Sequence, residues 1–208
     1  MNRAERLEEE KRHWQEMRCY EDQLLSEGYT RIAGLDEAGR GPLAGPVTAA
    51  AVILPPDCLI LGLDDSKKLS EKKRLRLEEE IKAKALAWCC ASVDPETIDA
   101  INILEASRLA MQQAVNGLTL APQYLLIDAL QLPLPLPQQS IIKGDAKSVS
   151  IAAASILAKN ARDRMMVAFD AQYPGYGFAR HKGYPTAAHK QALRDLGYTP
   201  IHRRSFKF

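Results

Sequence analysis

An apolar run from Tyr29 to Leu35 ends in two adjacent acids, Asp36 and Glu37. The chain then turns through Ala38-Gly39-Arg40-Gly41-Pro42-Leu43-Ala44-Gly45-Pro46 into a second apolar run, Val47 to Leu54. Two such runs joined by a glycine- and proline-rich turn predict strands over about 30–36 and 47–54. Successive side chains of a strand point to opposite faces, so this strand end aims its two carboxylates apart. Folding gains nothing from neighbouring like charges, and a buried strand end tolerates two acids only when they have a partner. A divalent cation or a developing positive charge is such a partner, and the rest of the chain is then expected to supply more acid and something for it to act on.

The 208 residues are enough for one well-buried core and short for two. No apolar run approaches the ~20 residues that cross a bilayer, and the charged N-terminus lacks the apolar middle of a signal peptide. Cys19, Cys58 and the adjacent Cys89 and Cys90 have no C-x-x-C spacing, which suits a reduced, cytoplasmic protein. Net charge is only +2 but unevenly spread. Met1 to Glu27 hold five Lys/Arg against eight Asp/Glu, whereas Arg180 to Phe208 hold seven against one, with His181, His189 and His202 among them. The basic end is expected either to face a polyanion or to be a solvated tail.

Residues 2–27 read as one charged helix closed by Gly28, an appendage (1–28) on a main domain (29–208). Within that domain a helix is expected from Ser70 to about Lys84, a strand over Ala85–Val93, a turn at Asp94-Pro95 and a helix over Asp99–Leu118. Tyr124–Ile127 is a buried strand ending at Asp128, and Leu132 to Pro137, alternating Leu and Pro, an extended connector. Ser140–Lys143 forms a short strand, Gly144 a turn, and a small-residue helix runs from Ala146 to about Asp170. Tyr173–Gly177 is a loop and Thr186–Leu196 a last helix. An early strand pair, then strands interleaved with helices, predicts one α/β domain with a mixed sheet.

Asp36-Glu37 and Asp128 end strands, and Asp145 lies just past a third. In an open sheet with parallel neighbours those ends share one edge, where ligands bind. Four converging carboxylates repel without cations, and hard oxygen ligands select Mg²⁺ or Mn²⁺. Two such ions about 3.5–4 Å apart clamp a phosphodiester, one activating water and the other stabilising the leaving oxygen. Taken singly, Asp145 could cap the following helix and Asp128 could start a turn; taken together, the four acids favour function.

Residues 39–44 match G-x-G-x-x-A, but Pro42, Gly45, Pro46 and a strand-like run follow where a dinucleotide-binding turn needs a helix. What remains is a glycine loop open to close approach, with an arginine suited to phosphate, or else a plain tight turn. Basic positions cluster near the acids: Lys67 and Lys68 after Asp65-Ser66, and Lys143, Lys147 and Ser148 around Asp145. Lys67, Lys143 and Ser148 are expected substrate contacts for a partner anionic along its length. Tyr184, among Arg180-His181-Lys182-Gly183, is placed to stack on a base or sugar, or to be a half-buried core tyrosine.

Five segments in order resemble the ribonuclease HII family, the bacterial type 2 ribonucleases H. They are Asp36 to Val47, Asp65-Ser66-Lys67-Lys68-Leu69, Leu126-Ile127-Asp128, Lys143-Gly144-Asp145-Ala146-Lys147-Ser148 and His181-Lys182-Gly183-Tyr184-Pro185-Thr186. The resemblance, over 29 to about 206, implies an RNase H-like five-stranded mixed sheet flanked by helices with a small C-terminal helical region. It implies an Mn²⁺- or Mg²⁺-dependent endoribonuclease. The substrates it implies are RNA–DNA hybrids and duplex DNA containing single ribonucleotides, cut to 5′-phosphate and 3′-hydroxyl ends in replication and repair. By position, Asp36, Glu37, Asp128 and Asp145 look like the catalytic, metal-binding acids. Gly39, Arg40 and Gly41 look like the loop that senses the ribose 2′-hydroxyl, and Tyr184 like the residue stacking at the RNA-to-DNA junction. The sliding-clamp-binding tail of archaeal relatives is not seen in Ser205-Phe206-Lys207-Phe208, and a monomer is expected. A DNA-directed nuclease on the same sheet and a non-catalytic nucleic-acid-binding module remain as rivals.

Overall fold

The computed structural model describes residues 2–207; Met1 and Phe208, the last residue of the C-terminal tail, lie outside the described residues. Five strands, β1 (Ile32–Ala38), β2 (Val47–Ile53), β3 (Ala87–Val93), β4 (Tyr124–Asp128) and β5 (Gln138–Ile141), form one mixed sheet in the order β3-β2-β1-β4-β5. β1 is central, antiparallel to β2 and parallel to β4; β4 and β5 are parallel, β2 and β3 antiparallel. The helices are α1 (Arg3–Glu16), α2 (Cys19–Ser26), α3 (Glu71–Lys84), α4 (Pro95–Ile101), α5 (Ile103–Asn116), α6 (Val149–Gln172), α7 (Phe178–His181) and α8 (Ala187–Leu196).

Strand alternation splits the core between the two faces of the sheet. Val47, Ala49, Ala51 and Ile53 of β2 meet Ala106, Ala110, Met111 and Ala114 of α5 on one face. Ala50 and Val52 meet Ala152, Ala153, Ile156 and Leu157 of α6, with Leu77 and Ile81 of α3, on the other. Small residues let α6 lie directly on β1. A Cβ at Gly34 would stand 2.1 Å from the carbonyl carbon of Ser150, so only glycine permits this approach. That contact sets the start of α6 over the strand carrying Asp36 and Glu37.

Several expected elements differ. Residues 2–27 form two helices rather than one: Met17 turns into the core and its carbonyl accepts the Val149 N–H at 3.2 Å, which interrupts the helical ladder. The helix expected over 99–118 is likewise broken. Asn102 takes a left-handed backbone (φ 67°), tolerated by asparagine, and its side chain caps α5 by accepting from Leu104 N at 2.9 Å and Glu105 N at 3.2 Å. The fifth strand lies at Gln138–Ile141, earlier than 140–143, because Lys143 is left-handed (φ 58°) and turns out of the sheet. α6 starts at Val149, not Ala146, because Gly144–Ala146 is a separate 3-10 turn and Ser148 is the N-cap.

The small C-terminal helical region is present and is not a solvated tail. Tyr176 and Phe178 stack at 5.2 Å, and His189, His202 and Ile201 pack with them onto Met166 of α6. Among the described residues no helix is long and apolar enough to cross a membrane.

Candidate active site

Sheet register brings the predicted acids to one edge. Leu35 lies beside Ile127 across β1 and β4, and Asp128 beside Ile141 across β4 and β5. Three parallel strands therefore end together, with Asp36 and Glu37 from the centre, Asp128 from the neighbour and Asp145 from the turn after β5. The Gly144 N–H donates to Asp128 Oδ1 at 2.7 Å and ties that carboxylate to the turn holding Asp145. Asp145 does not cap α6: Ser148 does, accepting from Ile151 N at 3.2 Å.

Mutual repulsion is visible in the acid chemistry. Burial, then the charges of Glu37 and Asp128, push the Asp36 carboxyl well above the ordinary range, against hydrogen bonds from the Ser155 hydroxyl and the Glu37 N–H (2.7 Å). Burial also raises Glu37, opposed by Arg40, whose guanidinium stands 3.5 Å from Glu37 Oε1. Burial and the charges of Asp65 and Asp128 push Asp145 up to about 6. Lys67 Nζ lies 3.9 Å from Asp145 Oδ2. Despite opposing burial, Asp65, Asp145, Asp36 and Asp128 together raise its amine.

These residues fit a divalent cation. Glu37 Oε2 is buried without any hydrogen-bond partner, an orphaned acceptor on a carboxyl that feels the Asp128 charge. Among the described residues no three acids, histidines or cysteines already stand at mutual ligand spacing, so the set is an open cluster rather than a closed cage. An all-oxygen cluster of this kind suits Mg²⁺ or Mn²⁺.

The glycine loop forms one wall of the site and is held from below. Arg203, buried, donates from Nε to the Gly45 carbonyl (2.9 Å) and from its two terminal nitrogens to the carbonyls of Arg40 (3.0 Å) and Gly39 (2.6 Å). Arg162, also buried, donates to the carbonyls of Pro46 (2.9 Å), Lys182 (2.9 Å) and Ala44 (3.0 Å). Gly39 (φ 97°) leaves no room for a side chain, since a Cβ there would lie 2.1 Å from Arg162 Nε. Burial lowers both arginines, Arg203 to about 9 and Arg162 to about 10, which leaves both protonated at neutral pH. Gly41 is exposed, and Tyr184 Cε1 is 3.7 Å from where its Cβ would be. Tyr184 is itself exposed, not a core tyrosine, so loop and ring share one surface.

The remaining expected contacts divide. Lys67 and Lys143 are exposed at the site's rim. Ser148 is fully buried, caps α6 and donates to Glu21 Oε1 at 2.5 Å, so its hydroxyl faces the interior rather than a substrate. Part of the basic end also turns inward, while Arg180, Arg194 and Arg204 stay exposed. His189, His202 and Arg203 are buried, because the relay from His202 to His189 to the Tyr184 carbonyl and the arginine fork are structural. Sequence reasoning missed Ser155, which bonds Ser66 at 2.9 Å and reaches Asp36, and the roles of Arg162 and Arg203. A signal existed for Arg162: it continues the buried stripe Ile151, Ser155, Ala158 and Met166 at helical spacing. Arg203 has no such periodicity around it.

A family profile, ribonuclease HII, matches residues 33–208. The chain is 56% identical over 202 residues to the ribonuclease HII of Bacillus cereus (strain Q1), spanning 97% of this chain and 79% of that protein. The ribonuclease HII of Bacillus thuringiensis (strain Al Hakam) matches with the same identity, 56%, and the same coverage, 97% and 79%. Ribonuclease H2 from Pyrococcus horikoshii OT3 superposes with a TM-score of 0.73 at 27% identity, over 85% of this chain and 94% of that one. A chain of the PCNA:RNase HII complex from Archaeoglobus fulgidus gives 0.71 at 27%, over 86% and 96%. The chain belongs to the ribonuclease HII family, metal-dependent hydrolytic endoribonucleases that act on RNA–DNA hybrids.

Proposed function

We propose that this endoribonuclease cuts both long RNA–DNA hybrids and single ribonucleotides embedded in duplex DNA, leaving 5′-phosphate and 3′-hydroxyl ends. The observation that carries the reading is one surface: buried Asp36 and half-buried Glu37 and Asp128 at the ends of β1 and β4, beside a glycine loop and an exposed tyrosine. Asp36, Glu37, Asp128 and Asp145 would hold Mn²⁺ or Mg²⁺. When bound, the cation supplies Lewis-acid activation of water and neutralises charge at the scissile phosphate. Water oxygen bonds to phosphorus, the bond to the 3′-oxygen breaks, and that oxygen leaves as a hydroxyl after taking up a proton.

The chain's own residues do the selecting. Arg203 takes up the carbonyls of Gly39 and Arg40, which holds the loop at a fixed height for a ribose. The 2′-hydroxyl is the one group distinguishing an RNA nucleotide from a DNA nucleotide there, and Gly41 lets the backbone approach it. Tyr184 stacks on the neighbouring sugar or base, while Lys67, Lys143 and Arg40 face phosphates. A cation taken up at Glu37 Oε2 would separate this reading from a pure binder, which gains nothing from acids held against phosphate. The role that follows is removal of ribonucleotides and RNA primers from DNA in the cytoplasm, by a monomer.

The test is cleavage of a DNA duplex carrying one ribonucleotide, in Mn²⁺ and in Mg²⁺, against an all-DNA control. Nicking of the first alone is expected, and Asp36→Asn should lower turnover by more than about 100-fold. Equal cutting of both duplexes, or full activity in Asp36→Asn, would overturn the reading.

A further inference from the structure

The start of α6 is capped from outside the catalytic domain. The first N–H groups of a helix have no partner within it. Here Val149 N donates to the Met17 carbonyl (3.2 Å), Ser150 N to Glu21 Oε1 (3.0 Å) and Ile151 N to Ser148 Oγ (3.2 Å). The Ser148 hydroxyl in turn donates to the same Glu21 oxygen at 2.5 Å. Two of these three donors, and the capping serine itself, thus depend on residues 17–21. Glu21 is buried, and a carboxylate at a helix N-terminus also faces the positive end of its dipole. The family profile begins at residue 33, so both Met17 and Glu21 stand outside it.

What this cap holds is the acid site. Ser148 N and Lys147 N both donate to the Gly144 carbonyl at 2.9 Å, closing the turn that contains Asp145. Gly144 N binds Asp128 Oδ1, and Ser155, two turns along α6, reaches Asp36. A shift at Ser148 is therefore passed to three of the four acids.

We infer that Glu21 is a positioning residue for the metal site: by clamping Ser148 and Ser150 it sets where Asp145 stands. The N-terminal helices are then a working part of the enzyme rather than an appendage. The inference rests on the reading of Asp145 as a metal ligand.

The test is Mn²⁺ titration calorimetry on the full chain without substrate, with Tm measured alongside. Glu21→Ala should raise the Mn²⁺ Kd roughly 10-fold, the low end of the cost of lost outer-shell support. Leu24→Ala removes buried apolar contact from the same helix without touching the cap, and should leave the Kd within about twofold. Should Glu21→Ala fail to fold, Glu21→Asp is read instead. Its carboxylate, drawn back by one methylene, cannot span both serines and should weaken Mn²⁺ in the same direction. An unchanged Kd, or equal weakening in Leu24→Ala, overturns the inference alone. Wild-type Mn²⁺ binding by Asp145→Asn overturns the metal-ligand reading, and the inference with it.

Discussion

Arg203→Ala isolates the loop from the metal. The wild-type guanidinium donates three hydrogen bonds to carbonyls, of Gly39, Arg40 and Gly45, and touches none of the four acids. Bonds from a charged donor contribute about 1.5–3 kcal/mol each, but this cation is buried without a carboxylate partner, and deleting it also removes that cost. We therefore take about 1–1.5 kcal/mol per bond. The two bonds to Gly39 and Arg40 order the part of the loop that, on the proposed function, would meet the ribose, so about 2–3 kcal/mol of loop order is lost. At 1.4 kcal/mol per decade this is a fall in kcat/KM of about 30- to 150-fold. The assay is steady-state cleavage of a duplex with one ribonucleotide, with circular dichroism to confirm folding and calorimetry to confirm Mn²⁺ uptake. A kcat/KM within threefold of wild type would refute the reasoning. So would a loss matched by an equal loss of Mn²⁺ affinity, since the damage would then lie at the acids.

Three other outcomes follow from buried groups. His202 accepts from Thr199 N at 2.9 Å and packs against His189; burial, then the neighbouring His189, lowers it to about 4. Its unfolded state takes up a proton below about pH 6.5 that the fold excludes, so Tm should fall as pH drops from 6.5 towards 4. Replacing His202 by Gln should flatten that slope in a thermal scan. Glu78, buried on α3, accepts from both terminal nitrogens of Arg164 (2.8 Å each), from Asn160 (2.9 Å) and from Lys82 (2.7 Å). Against burial, which pushes the other way, those bonds hold it at about 2, so its stabilisation is complete above pH 4.5 and is lost as pH falls towards 2. Glu78→Ala should cost about 2–3 kcal/mol at pH 7 in urea unfolding, with little change in kcat. Gly34→Ala should cost at least about 3 kcal/mol, roughly 6–12 °C in Tm, because its Cβ would meet backbone rather than a flexible side chain.

By itself the sequence determined the parts whose signals are local. Alternating apolar strands, the Ser70 cap of α3, and the acids at strand ends all lie within a few residues of their cause. The gathering of Asp36, Glu37, Asp128 and Asp145 at one sheet edge was legible because each lies at or just past the end of a strand. Element boundaries were less so. Nothing near Met17 announces that its carbonyl will be claimed by Val149, 132 residues on, nor does Asn102 announce a left-handed break. The basic C-terminal end shows the limit most plainly. Arg203 and Arg204 are neighbours of the same charge, yet the first is buried beneath the glycine loop and the second is exposed. Only the tertiary structure decides between them, because what makes a buried cation tolerable is a set of carbonyls contributed by residues 39–45. Charge is a property of the residue, but its partner is a property of the fold. The same holds for Ser148, read as a substrate contact from its place beside Asp145 and found facing Glu21, a residue that only folding brings there.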